Sequence, residues 1–234
     1  MKLTVTSIYS LIHFIVDMSC AVFLTQLVIP ICNLSYSTLV VILIYNFFAF
    51  AFQLPFGIIA DKINKNSTVS LFGIIFILLS FIVYNLNVIL AIVVIGIGNA
   101  LFHIGGGIDV LNISKGKNAL SGIYVSTGAV GLYLGTKVLR YSMLYLSIIF
   151  LIISILLLLF LYLKNNKTYH ITNEEFKIDI NKKEIVIICL MLTICIRSYV
   201  GMILNYDFKQ DFILGLVFVF MVAFRKNARW HNCR

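Results

Sequence analysis

The chain of 234 residues is 61% hydrophobic and 12% charged, with 18 Lys and Arg against 9 Asp and Glu, a formal net charge of +9 and a mean hydropathy of +1.04. No water-soluble domain of that size carries so much apolar surface, so the composition specifies an integral membrane protein. The basic residues are scattered through short loops rather than gathered on one face, which excludes nucleic acid as a partner and leaves the lipid bilayer.

A spanning helix needs about 20 mostly apolar residues. On that rule the chain predicts spans near 7–31, 38–60, 69–85, 87–108, 119–138, 141–163 and 184–205, with an eighth over 212–224. The run after Lys2 is too long for a signal peptide and lacks a small-residue cleavage site, so it is the first span. With the N-terminus inside, the loops hold fourteen Lys and Arg on the cytoplasmic side and three on the outer side. That asymmetry predicts a multi-pass protein of the cell membrane with a cytoplasmic N-terminus. The expected fold class is all-α and polytopic.

In the first span His13 and Asp17 are four residues apart and share a helix face. An ionisable residue at mid-bilayer costs about 2.5 to 3.5 kcal/mol on insertion scales unless it faces a cavity or a partner. Asp17 is therefore expected to titrate protons or face a substrate, with His13 beside it. The alternative is a hydrogen-bonded pair that fixes helix packing. The next interruption, Gly57 to Lys65, reads G-I-I-A-D-K-I-N-K. Gly57 is expected to let its helix pack closely on a neighbour, Lys62 and Lys65 to hold the loop in the cytoplasm, and Asn64 to tolerate a positive φ. In the fourth span G-I-G-N-A-L-F-H-I-G-G-G, from Gly96 to Gly107, repeats the four-residue spacing with Asn99 and His103. It is no nucleotide loop, because no strand precedes it and no G-K-[ST] follows. The fifth span offers Gly128, Gly131 and Gly135 as a small-residue packing surface.

Residues 164–183 form the one sizeable polar stretch, and beyond it Arg197 lies within the seventh span. A buried arginine needs an anionic partner or an aqueous cavity; otherwise it snorkels to the interface. The five cysteines lack C-x-x-C spacing and read as small buried hydrophobes. His13 with His103 is too sparse for a metal cluster, and no span sets a nucleophile beside a base. No cofactor is expected, and a membrane-embedded enzyme is the disfavoured class.

These stretches together resemble the major facilitator superfamily, whose loop pattern is G-x-x-x-D-[RK]-x-G-[RK]-[RK]. Gly57, Asp61, Lys62 and Lys65 are in register with it, Asn64 stands where the second glycine is usual, and Asn66 replaces the last basic residue. H-F-x-x-D in the first span, G-x-G-N-A-L-F-H in the fourth and Ile196-Arg197-Ser198 in the seventh resemble the fosmidomycin-resistance branch. The fifth-span glycines resemble the antiporter motif of that superfamily, with Thr136 where proline is usual. The resemblance implies a six-helix N-terminal half over 1–163, a linker over 164–183, and the first one to two helices of a second half over 184–224. It also implies proton-coupled export of a small anionic or zwitterionic drug by alternating access, with Asp17, His103 and Arg197 in one chamber and Asp61 engaging the second half.

The last ten residues, Arg225 to Arg234, suit neither a helix nor a cytoplasmic end. Decoded one base later with permitted codons, they yield G-K-M-L-G-G-I-I-A-D, which repeats Gly57 to Asp61 at the equivalent place in the second half. A frameshifted product with impaired transport is the expectation, and a half-transporter that pairs with itself or with a separately encoded second half is the alternative.

Overall fold

The computed structural model describes residues 2–35, 38–114, 118–137, 142–165 and 185. Among them are eight α-helices and no strand: α1 (Lys2–Val22), α2 (Ile29–Ser35), α3 (Thr38–Asn46), α4 (Gln53–Ile63), α5 (Asn66–Val83), α6 (Val88–Ser114), α7 (Asn118–Lys137) and α8 (Ser142–Asn165). A π-helical turn, Phe23–Val28, joins α1 to α2, and another, Phe47–Ala51, lies between α3 and α4. The first six predicted spans thus each meet a rod of helix. The predicted spans at 184–205 and 212–224, with Arg197 and the tail, lie outside the described residues.

Five rods are long and apolar enough to cross a membrane: Thr4–Cys32, Thr38–Ile63, Asn66–Val83, Val88–Ser114 and Leu144–Leu161. Their outer faces carry Leu39, Leu43, Phe47, Leu54, Phe72, Ile82, Leu156 and Phe160, all exposed. Their inner faces hold His13, Asn99, Asp109, Ser147 and Ser154. Apolar outside and polar inside is the arrangement that a lipid solvent selects. The sixth rod, α7, falls short in apolarity because serine, threonine and glycine take up the face it turns to α1.

The two π turns have a common cause in the chain's two prolines, Pro30 and Pro55. A proline cannot donate to the carbonyl four residues back, and its ring collides with that carbonyl. For Pro30 the carbonyl belongs to Gln26, inside the first π turn, and for Pro55 it belongs to Ala51, which ends the second. Each widened turn moves the carbonyl aside and lets the rod continue. The Gln53 amide adds a bond to the Ala49 carbonyl at 2.9 Å.

In lipid the apolar effect does not drive helix against helix, and close packing depends on small residues. The α5–α6 and α1–α7 seams are built on that rule. A Cβ placed on Gly73 would lie 2.7 Å from the Gly98 carbonyl oxygen, and one on Gly98 would lie 2.8 Å from that of Gly73. Gly128, Gly131 and Gly135 lie in turn against His13 with Asp17, the Phe14 carbonyl, and Met18 with Ala21. Residue numbers rise together along that second seam, so α1 and α7 run parallel. Along α5 and α6 they run oppositely.

The loop motif is half as expected. Asn64 ends α4 in the left-handed region, at φ 51° and ψ 39°, and its N–H donates to the Ala60 carbonyl at 2.8 Å. Asparagine is the non-glycine residue suited to that place. Gly57 departs from expectation: a Cβ there would meet only Ile104 Cδ1 at 3.8 Å, an ordinary contact, so no close approach requires the glycine.

Candidate functional site

Asp17 lies near the middle of the first rod, and the helical spacing turns His13 to the same face, towards α6 and α7. From α6, His103 reaches the same carboxylate. His103 Nε2 lies 3.1 Å from Asp17 Oδ1, and His13 Nε2 lies 3.1 Å from Asp17 Oδ2. The carboxylate therefore bridges two imidazoles from two helices. His13 is 3% exposed, whereas the His103 side chain keeps 22%, so the cluster opens on the His103 side.

The surroundings hold His13 in a fixed plane. Its ring stacks on Tyr124 at 4.3 Å and 25°, meets His103 edge-on at 4.6 Å, and lies 6.0 Å from Phe102. Its Nδ1 lies 2.7 Å from the Tyr124 carbonyl oxygen. A carbonyl only accepts, so Nδ1 carries a hydrogen and donates. That assignment leaves Nε2 of a neutral ring without a hydrogen, 3.1 Å from a carboxylate oxygen. The two repel unless a proton, or another cation, sits between them. Nε2 is buried and makes no hydrogen bond, because its approach to Asp17 has ion-pair distance without hydrogen-bond direction. With an extra proton, His13 becomes a charged donor on both sides and pairs with ionised Asp17.

Gly128 borders this cluster directly. A methyl group there would overlap His13 Nε2 and lie 2.5 Å from Asp17 Oδ2, so the absence of a side chain keeps both atoms uncovered.

Asn99 stands one turn before His103 on α6. It donates from Nδ2 to the Tyr45 hydroxyl at 2.5 Å. Of the residues expected in one chamber, Asp17 and His103 meet, and Arg197 lies outside the described residues. Asp61, Lys62 and Lys65 sit at the exposed end of α4, away from the cluster. His13 and His103, expected to be too sparse for metal ligation, lie with Asp17 so that three potential ligand atoms fall within 4.8 Å of one another. Sequence distance hid this, since α6 returns beside α1 in the opposite direction.

A second buried carboxylate was missed. Asp109, 3% exposed on α6, accepts from the Tyr9 hydroxyl at 2.6 Å and from the Asn66 amide at 2.9 Å. The predicted fourth span stopped at residue 108, which left Asp109 looking like a loop residue. The signal was available: Tyr9, His13 and Asp17 repeat every four residues along one stripe of α1. Asn66, which departs from the basic residue of the loop motif, has an inward role here. No protein-family model, curated protein or solved structure matches the chain.

Proposed function

We propose that the chain is a membrane transporter of the major facilitator type, which exports a small anionic or zwitterionic molecule in exchange for protons. The observation that carries this reading is the Asp17 carboxylate, held at mid-helix between imidazoles from α1 and α6. A pair that only fixed packing would need one partner. Here both oxygens are taken, and the cluster stays open where His103 is exposed.

The chemistry follows from the proton that His13 and Asp17 share. An anionic group arriving beside His103 competes with Asp17 for imidazole hydrogens, and the displaced carboxylate then holds or releases a proton according to the side it faces. Coupling of that kind is what an alternating carrier requires. The bundle suits the reading, since five of its rods are long and apolar enough to cross a membrane. A chain that crosses up and down runs its first and fifth spans in the same direction, and α7 runs parallel to α1. Mid-rod Asp17, rather than Asp61 or Asp109, is the proposed coupling residue.

The test is calorimetry of ligand binding to the purified chain, using a panel of phosphonates and zwitterionic drugs, in two buffers of different ionisation heat. Binding that moves a proton gives a different enthalpy in each buffer. The expected result is a buffer-dependent enthalpy that Asp17→Asn abolishes, with binding weakened tenfold or more. Equal enthalpies in both buffers, or no binding across the panel, contradict the proposal.

A further inference from the structure

We infer that His13, Asp17 and His103 form a binding site for a divalent transition-metal ion of the zinc type. The inference rests on the geometry of the three side chains and does not require that the chain transport anything.

Two imidazoles and a carboxylate suit zinc, copper, iron or nickel, and their hardness disfavours soft Cu(I). Zinc binds nitrogen and oxygen at about 2.0 to 2.2 Å, which sets neighbouring ligands in a tetrahedron about 3.3 Å apart. His13 Nε2 and His103 Nε2 each stand 3.1 Å from an Asp17 oxygen, and all three ligand atoms fall within 4.8 Å. The two contacts run to different carboxylate oxygens, so a metal would draw the three ligand atoms closer together.

Two independent observations point the same way. The first is His13 Nε2, a buried nitrogen with no hydrogen bond, 3.1 Å from an Asp17 oxygen. Its other nitrogen donates to the Tyr124 carbonyl at 2.7 Å. Metal-binding histidines use that second hydrogen bond to fix the tautomer and present the free lone pair to the ion. The second is Gly128, where any side chain would cover His13 Nε2 and Asp17 Oδ2 together. The glycine keeps the ligand atoms open, and the exposed edge of His103 gives the ion an entry path and leaves a fourth position for water or an anion.

Equilibrium dialysis of the purified 234-residue chain against Zn²⁺, with Co²⁺ as a spectroscopic probe, tests the site. The expected result is one saturable equivalent of zinc and a cobalt spectrum of nitrogen and oxygen ligation. That equivalent is lost in Asp17→Asn and in His103→Gln, and kept in Asp109→Asn, which alters the other buried carboxylate. Should the variants fail to fold, wild-type protein still decides: zinc should shield His103, the less buried of the two histidines, from carbethoxylation. No saturable zinc, an equivalent that survives both substitutions, or no shielding of His103 overturns the inference. Zinc held at the cysteines or at His231 falls among the overturning results.

Discussion

At the scale of single residues, two side chains are explained by what their backbone or neighbours demand. Asn64 is the one non-glycine residue of positive φ among the described residues, and it closes α4 in the left-handed region. A β-branched residue there meets the strain that left-handed backbone imposes on L side chains, about 1 to 2 kcal/mol. Asn64→Val is therefore expected to lower the unfolding free energy by about that amount, measured by denaturant titration in mixed micelles, while Asn64→Gly leaves it within about 0.5 kcal/mol. Loss of stability in the glycine variant would show that the asparagine side chain, and not its backbone, matters. His13 is the second case, because a bond to a carbonyl on one nitrogen decides what the other must be. Asn64 was legible in the sequence, since a turn between apolar runs limits what can stand there. The His13 tautomer was not, because its partner is a backbone oxygen 111 residues away that no spacing announces.

At the scale of elements, the rods follow from the length of the apolar runs, and their contacts follow from where the runs are interrupted by small residues. Gly131 seats on the Phe14 carbonyl of α1, whereas Gly107 on α6 has nothing within 4 Å of its Cβ position. Overpacking costs about 1 to 3 kcal/mol, while alanine in place of an unobstructed helical glycine gains up to about 1 kcal/mol. Gly131→Ala is thus expected to lower the thermal midpoint and Gly107→Ala to raise or keep it. Equal behaviour of the two variants would remove the packing role assigned to the α1–α7 seam. The sequence made the six rods and that glycine ridge readable, because both are properties of one stretch at a time. It did not make the π turns readable, although Pro30 and Pro55 mark them, since proline alone does not say whether a rod bends or widens. Asp109 escaped for a similar reason: a hydropathy boundary that ends one residue early turns an interior carboxylate into an apparent loop residue.

At the scale of the molecule, exposed Leu, Ile and Phe side chains cover the rods while His13 and Asp109 are buried and Asp17 is mostly so, which means that charge inside must largely be balanced inside. Lipid supplies neither counter-ion nor water. Asp17 then has two ways to be neutralised, a proton shared with His13 or a metal ion bound with both histidines. In either case the balance changes when a ligand arrives. The proposed exchange of a small molecule for protons would make use of that enclosed carboxylate. The most direct measurement is ¹⁵N nuclear magnetic resonance of histidine-labelled, zinc-free protein in lipid bilayers at neutral pH. One ring that keeps its hydrogen on Nδ1 and whose Nε2 resonance moves in Asp17→Asn is the predicted result. No ring with its hydrogen on Nδ1, or histidine spectra the same in wild type and Asp17→Asn, would contradict the account.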